Sequence, residues 1–165
     1  MNYYITGFIG SNRIGCAKQL AAEKGLKFLD MNDEIRVRDG RTVMRIVMSM
    51  GEHELHNKEY ELLQWLDSPE AAAAAPQGFA VACGDGTLFD GDCRDLMEKG
   101  TIVIADPNAS PDELWAAASA DENIPYAFMM PHGTGEDGNV LRGTDAREKF
   151  TKLFLTRKAL YDRYK

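Results

Sequence analysis

The feature that most constrains this chain lies near its start. A short apolar segment, Tyr3-Tyr4-Ile5, runs through Gly7-Phe8-Ile9-Gly10-Ser11-Asn12-Arg13-Ile14-Gly15 into a helical pattern at Cys16–Lys24. A strand, a glycine-rich turn and a helix in that order leave backbone N–H groups and the positive end of the helix dipole facing one point, where a phosphate can sit. The motif for such a loop is G-x-x-x-x-G-K-[ST]. Gly7 holds its first position, Asn12 stands at the second glycine, Arg13 at the lysine and Ile14 at the Ser/Thr. The candidate phosphate-loop residues are therefore Gly7, Gly10, Ser11, Asn12 and Arg13, and the outline of the loop is present with several of its working residues changed.

The rest of the chain alternates strand and helix signals. Gly25 closes the first helix, and Leu26–Leu29 reads as a second strand ending on Asp30. A short helix follows at Asn32–Arg38, then a turn at Asp39-Gly40 and helices at Thr42–Met50 and Glu52–Leu66. The second of these carries Leu55, Leu62, Leu63 and Leu66 at near-helical spacing. Ala71–Ala75 before Pro76 reads as a helix end or surface loop without chemistry. Phe79–Cys83 is a third strand running into Gly84-Asp85-Gly86, Arg94–Lys99 is helical, and Thr101–Ala105 is a fourth strand. Pro111–Ala120 reads as a helix with Ser110 at its N-cap. Pro131–Gly143 is a lid-like loop rich in glycine and acid, and Thr144 to the end is one helix. The alternation predicts a single α/β domain over 1–165, a three-layer parallel β-sheet with helices on both faces. Ligands in such sheets bind beyond the carboxyl ends of the strands, so Gly7–Arg13, Asp30–Asn32 and Gly84–Gly86 are expected to converge.

Charge and cysteine content narrow the partners. A net charge of −7 argues against nucleic-acid and anionic-membrane binding, which need a basic footprint. With no signal-peptide pattern and no apolar run of about 20 residues, the expectation is a cytoplasmic protein with reduced thiols. Cys16, Cys83 and Cys93 form no C-x-x-C pair and read as small buried hydrophobes. His53 and His56 are three apart, not the four that place two ligands on one helix face, so they read as part of a solvated face and no metal site is predicted. Met44, Met48 and Met50 read as core, and the charge run Glu52–Glu61 as a solvated helix face. Trp65, Leu66 and Trp115, if partly exposed, would mark a subunit contact in a homodimer.

Taken in order, these landmarks resemble the shikimate kinase family, small P-loop kinases of the nucleoside-monophosphate-kinase type. The match runs from Tyr3 to about Pro125 and again from about Phe154 to Tyr161. It rests on G-F-I-G at Gly7–Gly10, F-L-D at Phe28–Asp30, D-G-R-T at Asp39–Thr42, G-E at Gly51-Glu52, G-x-G at Gly84–Gly86 and R-x-x-L-Y at Arg157–Tyr161. The resemblance implies a P-loop kinase sheet lacking its last strand, because the family continues past the point matching Lys165 with an edge strand, an adenine-contacting loop and a closing helix.

It also implies roles by position. Arg13 matches the lysine that pairs the transferring phosphate, and Ile14 the Mg²⁺-holding hydroxyl, which an alkyl group cannot replace. Asp30 matches the acid near Mg²⁺ and the reacting hydroxyl. Asn32 matches an aspartate that accepts from substrate hydroxyls, and His56 an arginine that binds the substrate carboxylate. Gly84, Asp85 and Gly86 match a G-G-G loop, and Arg157 a second carboxylate-binding arginine. Ala117 and Ile124 stand where the family has an adenine-side and a lid arginine.

The reading that follows is a shikimate-kinase-like protein without standard ATP-dependent kinase activity, acting as a small-ligand or anion binder or as an interaction module. The alternative is an active small-molecule kinase of the shikimate 3-phosphotransferase type, using Arg13 and Asp30 as catalytic residues with ATP and Mg²⁺. A purely structural subunit is the third reading. Asp85 is expected to fill the substrate-carboxylate position and pair with Arg157.

Overall fold

A computed structural model of the chain describes residues 1–120 and 143–165. They form two compact units, one of Met1–Thr6 with Asn12–Ala105 and the other of Gly7–Ser11 with Asp106–Lys165. The lid-like loop expected at 131–143 lies outside the described residues save for its last position, as does Ile124.

The first unit is built on strands β1 (Tyr3–Thr6), β2 (Lys27–Asp30), β3 (Phe79–Ala82) and β4 (Thr101–Ile104). All pairings are parallel, in the order β2-β3-β1-β4. Among the described residues the sheet has these four strands, and helices flank it. β3 is an unbroken buried run, as a strand with neighbours on both edges and cover on both faces must be. Helix α1 (Arg13–Lys24) packs on one face through Ala17 and Ala21, against Ile5, Ala80, Ala82 and Ala105. Small side chains on both surfaces bring helix and sheet close together.

Helices α2 (Met31–Asp39), α3 (Val43–Met50), α4 (Glu52–Leu66) and α5 (Pro69–Ala74) follow β2. α4 is anchored by Leu62, Leu63 and Leu66, all nearly buried, which contribute roughly 2 kcal/mol each. Trp65 meets the Phe79 ring edge-on at 5.8 Å, and the Arg38 guanidinium lies 4.6 Å over the indole. Asn2 ties the unit together, donating to the Leu66 carbonyl and accepting from the Phe79 N–H, both at 2.9 Å. Leu66, expected as a partly exposed contact residue, is therefore core. Met48 and Met50, expected inside, are exposed, because Ile46 alone carries the buried side of α3. After β3 come a 3₁₀ turn (Thr87–Phe89) and α6 (Gly91–Met97), which starts three residues earlier than expected because the Asp90 side chain caps it on the Cys93 N–H.

The second unit contains α7 (Pro111–Ser119) and α8 (Gly143–Asp162). Ser110 caps α7 in a capping box with Glu113, as the sequence predicts. Phe8 and Phe150 meet at 4.9 Å, Phe8 and Phe154 at 5.4 Å, and Trp115 and Phe150 at 5.1 Å, all edge-to-face. No helix among the described residues is long and apolar enough to cross a membrane.

Candidate functional site

α1 begins at Arg13, three residues before the helical pattern becomes visible in the sequence, because Asn12 caps it. The Asn12 Oδ1 accepts the Gly15 N–H at 3.0 Å, with the side chain folded over the first turn. A Cβ on Gly15 would overlap that amide, which explains the glycine. The cap has a chemical consequence. The free N–H groups of a first turn are what an anion binds, and here one of them already holds a side-chain oxygen. Ile14 follows with its side chain partly in solvent and no oxygen to offer.

Arg13 reaches back over the sheet. Its Nη1 donates to the Cys83 carbonyl at 3.1 Å, and its Nη2 donates to Asp85 Oδ1 in an ion pair. β1 and β3 are adjacent and parallel, so the segments following them lie side by side, and the first residue of α1 meets the Gly84–Gly86 loop. The sequence leads one to expect Arg157 as a partner of Asp85. Within the first unit Asp85 pairs with Arg13, whose side chain is 15% exposed against 31% for Asp85. Arg157 lies on α8 in the second unit and is buried, with 8% exposure.

The Gly84–Gly86 loop is ringed by polar atoms. A Cβ at Gly84 would stand 2.6 Å from Glu59 Oε2, 3.0 Å from Thr87 Oγ1 and 3.3 Å from Asn32 Oδ1, so only glycine fits. Asn32 is placed by Asp30, which ends β2 and caps α2 by accepting the Asn32 N–H at 3.1 Å. Of the expected convergence of Gly7–Arg13, Asp30–Asn32 and Gly84–Gly86, the part formed by Arg13, Asn32 and Gly84–Gly86 is seen within the first unit, while Gly7–Ser11 belong to the second.

The sequence reading missed the residue that organises this ring. Glu59 lies in a charge run that reads as a solvated face, yet it is 1% exposed. Its Oε2 accepts from the Thr87 hydroxyl, which in turn accepts the Gly84 N–H at 3.0 Å. Its Oε1 pairs with His56 Nδ1 at 2.7 Å. A signal was available: Leu55, Glu59, Leu62, Leu63 and Leu66 fall at i, i+4, i+7, i+8 and i+11, placing an acid on the apolar face of α4. Such a carboxylate needs partners for both oxygens, and His56 and Thr87 supply them.

His56 lies against Gly86, where a Cβ would be 3.4 Å from Cε1. The hydrogen bond to Glu59 raises the imidazole pKa above its ordinary value, outweighing burial, with Glu52 and Asp90 adding in the same direction. Burial pushes the Cys83 and Cys93 thiols up, which suits buried hydrophobes and not nucleophiles. Cys16 differs from them in being only half-buried.

In the second unit the remaining loop residues are held by their own backbone. Ser11 donates both its N–H, at 2.9 Å, and its hydroxyl, at 2.6 Å, to the Phe8 carbonyl. Gly10 has φ 94° and packs under the Leu114 carbonyl of α7.

Comparison with known proteins gives this arrangement its context. Residues 13–165 match the shikimate kinase family model. A bifunctional shikimate kinase/3-dehydroquinate synthase from Thermotoga maritima is 30% identical over 125 residues, which are 76% of this chain and 23% of that protein. The shikimate kinase of Chlorobium limicola is 32% identical over 101 residues, 61% of this chain and 47% of the other. That of Chloroherpeton thalassium is 26% identical over 159 residues, 96% and 77% respectively. The chain thus spans less than half the length of the first two relatives. In fold it is similar to a shikimate kinase from Acinetobacter baumannii in complex with shikimate, with a TM-score of 0.72 at 22% identity, covering 99% of this chain and 79% of that one. The shikimate kinase of Bacteroides thetaiotaomicron gives the same TM-score at 19% identity, covering 100% and 84%. With four parallel strands in the order β2-β3-β1-β4 and the family model matched from Arg13 to Lys165, this chain belongs to the shikimate kinase family.

Proposed function

We propose that this protein binds a small hydroxylated carboxylate of the shikimate type and does not carry out standard ATP-dependent phosphoryl transfer. The observation that carries this reading is the Arg13–Asp85 pair. Phosphoryl transfer depends on uncompensated positive charge placed where charge develops on the phosphate, and losing one such cation costs about 10³–10⁵ in rate. Here the only cationic residue of the loop motif is paired with a carboxylate and a backbone carbonyl. The Asn12 cap acts in the same sense. The donor set also does not fit a magnesium ion: Ile14 has no oxygen, and Asp30 already spends one carboxylate oxygen on the Asn32 N–H.

The substrate half is better equipped. In the first unit Asn32 lies against Gly84 and His56 against Gly86, and polar groups of that kind suit hydroxyls and a carboxylate.

The active-kinase reading has one observation in its favour: Asp30 is present at the end of β2, where an acid can act on a substrate hydroxyl. Two measurements separate the readings. A ligand at 100 times its dissociation constant adds about 2.7 kcal/mol to stability. We expect such a shift with shikimate, none with ATP–Mg²⁺, and no shikimate phosphate by ³¹P NMR. A saturable ATP–Mg²⁺ shift accompanied by magnesium-dependent turnover refutes the proposal in favour of the kinase.

A further inference from the structure

We propose that His56 makes carboxylate binding at this site proton-gated: the ligand is received by the imidazolium Nε2–H beside Gly86, so that binding is linked to protonation of the ring and weakens as pH rises. This rests on the reading that the site takes a small anionic ligand.

The geometry fixes which edge of the ring is available. Nδ1 is committed to Glu59 Oε1 at 2.7 Å. Glu59 is itself buried and held from its other oxygen by Thr87, whose hydroxyl accepts the Gly84 N–H at 3.0 Å. The ring cannot rotate without breaking that chain. Nε2 therefore points away from Glu59, and it lies 3.9 Å from where a Cβ on Gly86 would be. The side chain keeps 18% exposure, so this edge is reachable. Glu52 Oε1, at 3.8 Å, is beyond hydrogen-bond reach of Nε2 and is itself 32% exposed, so a better-placed carboxylate can displace it.

The chemistry then turns on a single proton. With Nδ1–H donating to Glu59, a neutral ring presents a bare lone pair at Nε2, which repels an incoming carboxylate. A protonated ring presents an N–H there and accepts one. The charged groups acting on the ring are Glu59 and Glu52 from α4 and Asp90 from the start of α6, and all favour the cation. Across the glycine loop the charge of Arg13, from α1, is offset by Asp85. The Cys83 and Cys93 thiols stay neutral because burial raises both. An added carboxylate at Nε2 stabilises the cation further, so protonation and binding reinforce each other.

The test is calorimetric titration with shikimate from about pH 5.5 to about pH 9, each point in two buffers of different ionisation heat, with methyl shikimate as the neutral control. Wild type, His56→Gln and His56→Arg are compared after far-ultraviolet circular dichroism establishes that each is folded. Above the ring's own midpoint, wild-type affinity for shikimate is expected to fall about tenfold per pH unit, with close to one proton taken up per ligand. The ester should show no such slope. His56→Gln should bind weakly and independently of pH, and His56→Arg tightly and independently of pH. A flat wild-type profile, or a wild-type slope retained in His56→Gln, overturns the inference while leaving the ligand reading intact. Failure of folded wild type to bind shikimate at any pH overturns both.

Discussion

Arg13 and Asp85 neutralise one another between the segments that follow β1 and β3. The pair is intramolecular, so it competes with any phosphate for the same guanidinium. Asp85→Gly should release that charge. A charged hydrogen bond is worth about 1.5–3 kcal/mol, so pyrophosphate affinity measured by calorimetry at low salt should rise about ten- to a hundredfold. The protein itself should lose about 1 kcal/mol of stability, because the pair is only partly sheltered from solvent. An unchanged pyrophosphate affinity would mean that Arg13 is not what limits anion binding at the loop.

The Thr87 hydroxyl links a backbone N–H to a buried carboxylate, which makes it more consequential than its size suggests. Thr87→Val keeps the shape and removes both bonds, leaving the Gly84 N–H and one Glu59 oxygen unsatisfied in a dry place. The expected cost is about 2–3 kcal/mol by urea denaturation, against less than about 1 kcal/mol for Thr87→Ser. In a double-mutant cycle with Glu59→Gln the two sites should couple by about 1 kcal/mol or more, since they share one network. Additive effects would show that the link from threonine to glutamate contributes nothing of its own.

Much of this architecture was legible in the chain. Layer type followed from β-α alternation, because period and turn residues are local signals. The meeting of Arg13, Asn32 and Gly84–Gly86 followed from the rule that binding loops gather at the carboxyl ends of parallel strands. What stayed hidden was pairwise. Composition gives Asp85 no distance to Arg13. Their pairing depends on β1 and β3 being neighbours, together with the early start of α1 that Asn12 sets. Glu59 was misread for a different reason. Its neighbours in sequence are charged and exposed, and only its phase on the leucine face of α4 reveals that it points inward.

The His56–Glu59 contact also gives stability a pH dependence of definite sign. The folded pKa of His56 is raised, chiefly by the hydrogen bond to Glu59. The stabilisation is therefore complete below the unfolded value of about 6.5 and is lost as pH rises through the higher folded value. Unfolding free energies of wild type and His56→Gln, measured side by side in urea, should differ most in mildly acidic buffer and converge on the alkaline side. A difference that grows with pH would contradict the charged-ring assignment.

Gly10 shows how the first part of the glycine-rich loop is held in the second unit. It has φ 94°, and a Cβ there would overlap the Leu114 carbonyl oxygen and lie 3.2 Å from the Ala118 Cβ. Gly10→Ala therefore combines a left-handed backbone penalty of about 1–2 kcal/mol with a clash that must displace α7. Gly40→Ala is the matched control: its φ is 88°, but among the described residues nothing lies within 4 Å of the added methyl, so only the backbone penalty applies. We expect Gly10→Ala to lose at least about 2 kcal/mol more than Gly40→Ala, in the range of an overpacked core. Hydrogen exchange should report lost protection at Leu114–Ala118 in the first variant alone. Equal destabilisation by the two substitutions would show that α7 yields freely and does not fix the bend of the loop.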